Sequence, residues 1–528
     1  MTTCAGIRPT TTSVGEGPGL VNDNAYSRLV GAAPRDPQRV FMRSGERAYT
    51  YEDLHARSAQ LAQALVAMGV EPGERVAVQV DKSPEAVFLY LACLRVGAVY
   101  LPLNTAYTLS ELEYFIGDAQ PSVLVCDPTR QTLLMPAARQ LGVRHVVTLG
   151  ADGLAGSLPA RADAQPASFL DLLRQPDDLA AILYTSGTTG RSKGAMLTHA
   201  NLASNAFALR DAWRYVAGDE LIHALPLFHV HGLFVALNVT LAAGAGLTLL
   251  PGFDAQAVLD LMPRSTVLMG VPTFYTRLLQ QPGLDRARCA HMRLFVSGSA
   301  PLLADTHRDW QQRTGHSILE RYGMTETGMN TSNPYAGERV PGSVGMPLPG
   351  ISLRIVDLEQ GRPLPVGEVG MIEVRGPNVF SGYWRMPDKT RAEFRDDGWF
   401  VTGDVGRVDG RGYVSIVGRG KDLVITGGYN VYPREVEAEI DALPGVAESA
   451  VIGLPHADFG EGVTALVVPV RDAQLTEAGL LAALRERLAG YKCPKRILFT
   501  AELPRNAMGK VQKQVLRERF ADLYAARG

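Results

Sequence analysis

A chain of 528 residues is too long for a single hydrophobic core, so two or more domains are expected. Hydrophobic residues at 46%, charged residues at 20% and a formal net charge of −2 exclude a disordered or strongly basic protein, and nucleic acid is not an expected partner. Five scattered cysteines without a Cys-x-x-Cys pair argue against a disulfide framework or zinc cluster and for a reducing compartment, here the cytoplasm. No apolar run reaches the roughly 18 residues of a membrane span. Residues 1–24, rich in Thr, Gly and Pro and lacking an apolar centre, read as a disordered tail rather than a secretory signal.

In chain order, Thr50 and Asp53 form a capping-box signature, followed by Leu54, Leu61, Leu65 and Met68 on one helical face and a stop at Gly69. A strand follows at 75–80. Ser83-Pro84 then opens a helix that ends at Gly97. Further strands are expected at 98–101, 122–126 and 145–149, so strands alternate with helices as in a layered α/β fold with largely parallel sheets. Residues 151–178 lack periodicity and read as a surface connection. Two apolar runs, 179–183 and 194–197, read as strands flanking the loop Tyr-Thr-Ser-Gly-Thr-Thr-Gly-Arg-Ser-Lys at 184–193. Its glycines let the backbone turn N–H groups inward, its hydroxyls donate hydrogen bonds and Lys193 adds positive charge, which suits a phosphate. The Gly-x-x-x-x-Gly-Lys-Ser/Thr spacing of the common nucleotide loop is absent.

A helix is expected over 199–215, then Leu-Pro-Leu-Phe-His-Val-His-Gly at 225–232. Without a nearby carboxylate or cysteine, His229 and His231 read as a pocket wall rather than a metal site. Pro272 opens a helix containing Arg277. A strand at 294–296 runs into Ser297-Gly298-Ser299-Ala300-Pro301, and a strand over 413–419 leads to Gly420, Lys421 and Asp422. Beyond these lies a second unit of about 107 residues. Pro433 starts a helix there, 445–454 and 462–470 read as strands, 476–489 as a helix and 496–499 as a strand.

The loop at 184–193 resembles the phosphate-binding signature of the adenylate-forming enzymes: acyl-CoA synthetases, luciferases and peptide-synthetase adenylation domains. Further motifs follow in that family's order: Arg-Tyr-Gly-Met-Thr-Glu-Thr at 321–327, Gly-Trp-Phe-Val-Thr-Gly-Asp at 398–404, Gly-Arg-Gly-Lys-Asp at 418–422 and Pro-Arg-Asn-Ala-Met-Gly-Lys at 504–510. The resemblance implies a large N-terminal adenylation domain (25–419) of layered α/β subdomains with a β-rich part. It implies a hinge at Gly420 and Lys421, and a small mobile α+β lid (422–528).

It also implies roles. Thr185, Ser186, Gly187, Thr188, Thr189, Gly190 and Lys193 would hold the ATP phosphates. Tyr322 would stack on adenine, with Ser299 nearby. Thr325 would touch phosphate, Glu326 would hold Mg²⁺, and Asp404 with Arg419 would hold the ribose. Lys510 matches the catalytic lysine, with Thr185 and Glu326 as its partners in catalysis. Gly427, Gly428 and Tyr429 would face the coenzyme A thiol. The chain is most similar to the malonyl-CoA synthetases, which implies a pocket formed by His231, Arg277, Ser297 and Met324. Arg277 would bind the free carboxylate, as a dicarboxylate requires. The expected reaction joins malonate to coenzyme A through malonyl-AMP; methylmalonate or another short acid is the alternative.

Overall fold

The computed structural model describes residues 22–31, 36–185, 192–426, 429–456, 458–506 and 509–525. The expected elements form for the expected local reasons. The helix Tyr51–Ala67 begins on a complete Thr50–Asp53 capping box. The helix Pro84–Val96 has Ser83 as N-cap and ends at Gly97, whose φ of 73° is the left-handed geometry glycine tolerates. Two readings change. The stretch 151–178 contains a helix, Ser157–Asp163. The tail drawn over residues 1–24 also runs too far: Asn24 is buried, donates to the carbonyls of Leu94 and Leu172, and caps the helix Ala25–Val30.

Among the described residues the large domain holds three sheets. One has seven strands in the order Gly382–Tyr383, Lys193–Thr198, Leu179–Thr185, Val99–Pro102, Arg75–Gln79, Val123–Cys126 and His145–Thr148. It is parallel from Leu179–Thr185 to His145–Thr148 and antiparallel at the other edge. The second, of nine strands, has a parallel centre in which Glu220–His223, Val267–Gly270, Leu294–Ser297 and Leu319–Met324 lie side by side. The third is an antiparallel four-stranded sheet from Ser352–Val356 to Val414–Arg419, the expected β-rich part.

The small domain has a five-stranded sheet around the long pair Val446–His456 and Gly460–Pro469, with helices Pro433–Asp441, Glu477–Arg485 and Lys513–Arg519. Its own apolar clusters include Val436, Ile440, Val451 and Leu484 on one side and Ile452, Leu454 and Leu516 on the other. This matches the expected mixed α/β architecture with a separate small α+β domain.

Two ion pairs bracket the passage between domains. Arg419 Nε lies 2.8 Å from Asp404 in the large domain, and Arg517 lies 2.7 Å from Asp422 in the small one. Only the start of a single 3₁₀ turn, Gly420–Asp422, separates these anchors. No described helix is long and apolar enough to cross a membrane.

Candidate active site

Open parallel sheets expose ligand clefts at the carboxyl ends of their strands. The strands ending at His223, Gly270, Ser297 and Met324 supply one wall of such a cleft, and the hairpin Leu179–Thr185/Lys193–Thr198 supplies the other. Residues 376–384 tie the two walls together. Phe380 N donates to the Glu326 carbonyl at 2.8 Å, Trp384 N donates to the Gly194 carbonyl, and Gly382–Tyr383 pairs with the strand carrying Lys193.

Thr185 and Lys193 face each other across the hairpin. Ser186, Gly187, Thr188, Thr189 and Gly190, expected at the phosphates, lie outside the described residues, as do Gly427 and Gly428. Lys193, only 8% exposed, sits 4.1 Å from the Tyr383 ring centroid and 3.2 Å from Glu393. The Tyr383 hydroxyl is 3.0 Å from Glu326 Oε1 and 2.6 Å from Glu393 Oε2, so its one proton serves one of two carboxylates at a time. Burial raises the pKa of Glu326, which is 5% exposed. Burial would also raise Glu393, but Lys389, Tyr383 and Lys193 together hold it below the usual value. Tyr383 and Glu393 were missed from sequence because they stand outside the motifs; pairing on a sheet edge brings them in.

Asp404 and Arg419 are register partners on adjacent strands. The Asp404 carboxylate accepts from Arg419 and, at 2.6 Å, from the Tyr322 hydroxyl. Two of its roughly four lone-pair sites are thereby used, which leaves acceptor capacity for a ligand hydroxyl. Met324 ends the strand Leu319–Met324 that carries Tyr322, Thr325 opens the turn after it, and both are half-buried.

Lys510 comes from the small domain. Its N–H donates to the Asn506 side chain at 3.0 Å, and its carbonyl accepts from Asn506 N, closing a turn. Gly509 lies against Thr273, at the start of the helix Pro272–Leu279 of the large domain. The Lys510 side chain is exposed at the surface, while desolvation by the surrounding protein, with Arg419 next, lowers its pKa to about 8. Lys510, Asp404 and Arg419 therefore converge although they are distant in sequence.

Near these strand ends two histidines, held neutral by burial, lie close to a buried cation. His231 Nδ1 is 3.2 Å from Ser299 Oγ, while its Nε2 and the Ser297 hydroxyl are buried without a partner. Burial, with Arg321 next, lowers His229 to about 4 and His231 well below its usual value. Ser299 has φ of 72°, a strained backbone for a residue with a side chain.

Arg321, 3% exposed, lies flat against Gly298, where any Cβ would fall about 2.4 Å from the guanidinium carbon. Its Nε and Nη2 have no hydrogen-bond partner, and burial lowers its pKa to about 9, still charged at neutral pH. The expectation placed Arg277 at the free carboxylate of the acid. Arg277 stands on the exposed face of the helix Pro272–Leu279, whose inward face is Phe274, Tyr275 and Leu278. The buried cation beside Gly298 and His231 is Arg321, the first residue of the 321–327 motif. Tyr429 is 58% exposed and stacks on Tyr491 in the small domain.

Comparison with known proteins follows the same outline. The family described as AMP-binding enzyme matches residues 30–384, and the AMP-binding enzyme C-terminal domain matches residues 435–510. A feruloyl-CoA synthase of Amycolatopsis sp is 39% identical, covering 94% of this chain and 99% of its own. The mitochondrial malonate–CoA ligase ACSF3 of Mus musculus is 38% identical, covering 89% of this chain and 86% of its own. Among solved structures, ATP-bound MatB from Rhodopseudomonas palustris is 60% identical with a TM-score of 0.94, covering 96% of this chain and all of its own; the apo form of MatB scores 0.83.

Proposed function

The chain belongs to the family of AMP-binding enzymes, and from that premise we propose that it ligates malonate to coenzyme A through a malonyl-AMP intermediate, releasing AMP and pyrophosphate. One observation carries the choice of acid. A guanidinium buried without a partner costs several kcal/mol unless an anion joins it. The unpartnered Nε and Nη2 of Arg321, among neutral histidines, suit a two-point contact with the distal carboxylate of a short diacid. A feruloyl side chain, the substrate implied by the name of a relative at 39% identity against 38% for the malonate–CoA ligase, has no use for that charge.

The chemistry is assisted by positioning and charge, with no side-chain nucleophile. The near carboxylate of malonate attacks the α-phosphorus of ATP, forming a new P–O bond as the bond to pyrophosphate breaks. Both reactants are anionic. Lys193 and Lys510 offset their repulsion, Thr185 and Thr325 position phosphate oxygens, and Asp404, Arg419, Tyr322 and Ser299 hold the nucleoside. Glu326 is a hard oxygen donor in the right surroundings for the Mg²⁺ that accompanies ATP, which would neutralise charge on the phosphate chain. In the second half-reaction the coenzyme A thiolate attacks the acyl carbon and AMP leaves. Gly420 and Lys421 act as the hinge between the halves, and the Gly427–Tyr429 stretch faces the thiol.

The test is pyrophosphate release across a panel of malonate, methylmalonate, propionate and ferulate. Malonate should give the highest kcat/KM. Methylmalonate in its place would shift the substrate while keeping the Arg321 contact. Preference for ferulate or propionate would overturn the reading.

A further inference from the structure

We propose that Lys389, held beside Lys193 by Glu393, forms with it a two-ammonium subsite for the β- and γ-phosphates of the nucleotide and for the departing pyrophosphate. The inference rests on the ATP-dependent reading above and adds residues that lie outside the motifs behind it. The Nζ atoms of Lys193 and Lys389 approach the same oxygen, Glu393 Oε1, at 3.2 and 2.8 Å. The other oxygen, Oε2, accepts from the Tyr383 hydroxyl at 2.6 Å, and the Tyr383 ring lies under Lys193. Two cations brought this close repel each other, and the carboxylate between them offsets that repulsion. Each ammonium has three N–H donors, and the one contact with Glu393 leaves donors on both for phosphate oxygens.

The placement is fixed by backbone. Gly382–Tyr383 pairs with the strand Lys193–Thr198, and Tyr383 N donates to Thr390 Oγ1 at 2.9 Å, which locks the helix Pro387–Glu393 against the strand on which Lys193 stands. Lys389, with a side chain 38% exposed, sits at the open side of this cluster, while Lys193 is enclosed. The phosphate chain carries its greatest negative charge at its far end, where a single lysine offsets only part of it. A second ammonium beside the first meets the remainder, and it binds the same group once that group has become pyrophosphate. A helix-end ion pair with no ligand role would instead contribute little to stability and touch no substrate.

ATP–pyrophosphate exchange driven by malonate, with the full chain, tests this. Lys389→Met should raise the KM for pyrophosphate by about tenfold and that for ATP several-fold, the scale of one lost charge-assisted contact. KM for malonate and the melting temperature should not move, and Lys389→Arg should restore most of the loss. Glu393→Gln, which removes the offsetting charge and keeps an acceptor, should lower the KM for pyrophosphate and make it a stronger product inhibitor. Pyrophosphate and ATP constants within twofold of the parent in Lys389→Met would overturn the subsite. Absence of exchange in the unmodified protein with every acid would instead overturn the ATP-dependent reading beneath it.

Discussion

At the scale of single residues, the site depends on charges placed where water cannot relieve them. Arg321 is the clearest case, because its strand neighbour Glu320 points to the opposite face and its Nε and Nη2 have no hydrogen-bond partner. Arg321→Met should therefore cut kcat/KM for malonate by about 100-fold, while use of propionate falls little or improves; steady-state kinetics on both acids reads the split. Arg277→Met, on the exposed helix face, should leave malonate preference unchanged. Lys510 makes a pH prediction. Desolvation, with Arg419 next, lowers its pKa to about 8, and only the protonated form carries the charge the transition state needs. kcat/KM for ATP reports the free enzyme, so it should fall as pH rises through about 8. Lys510→Met should abolish that limb and lower adenylation by about 10²–10³, while supplied malonyl-AMP is still converted to thioester. Equal loss of both half-reactions would remove Lys510 from adenylation.

At the scale of elements, the short pairing of Gly382–Tyr383 on the strand Lys193–Thr198 does more than its two residues suggest. It delivers one tyrosine to Glu326, Glu393 and Lys193 together. Gly382 makes this possible: its φ is 130°, and a Cβ there would stand 2.7 Å from the Thr390 methyl. Gly382→Ala should cost about 1–3 kcal/mol of stability by denaturant melts. It should also raise KM for ATP more than KM for malonate, because the displaced edge carries the phosphate-side residues and not the acyl pocket. Unchanged nucleotide binding in a folded Gly382→Ala protein would separate this edge from the ATP site.

At the scale of the whole molecule, the small domain is seated with Lys510 toward Asp404 and Arg419, and the chain as a whole matches ATP-bound MatB with a TM-score of 0.94 against 0.83 for apo MatB. Thioester formation by the same chain calls for a second seating, reached by turning about Gly420 and Lys421 between the Arg419–Asp404 and Arg517–Asp422 anchors. Thr273 and Gly509 give a direct test. A Cβ built on Gly509 lies 4.0 Å from Thr273 Cβ, within disulfide range. The pair Thr273→Cys/Gly509→Cys, once oxidised, should retain malonyl-AMP formation and lose malonyl-CoA formation, with reductant restoring the latter. The described native cysteines are buried and do not compete for the bridge. A cross-linked protein that turned over at the reduced rate through both steps would rule out domain rotation.

The sequence alone determined what short-range physics controls. Thr50 and Ser83 announce helix starts through caps, alternating strands and helices announce the layered sheets, and the motifs around Lys193, Glu326, Asp404 and Lys510 announce an adenylate-forming enzyme because each holds its meaning within a few consecutive residues. The tertiary structure decided which side chains share a space. Arg277 and Arg321 both lie in plausible segments, and only the direction of a strand side chain against a helix face sends one inward and the other to solvent. Tyr383, Lys389 and Glu393 reach Lys193 across about 190–200 residues of chain through sheet-edge pairing, whose register is a property of the assembled sheet and leaves no mark in the local sequence.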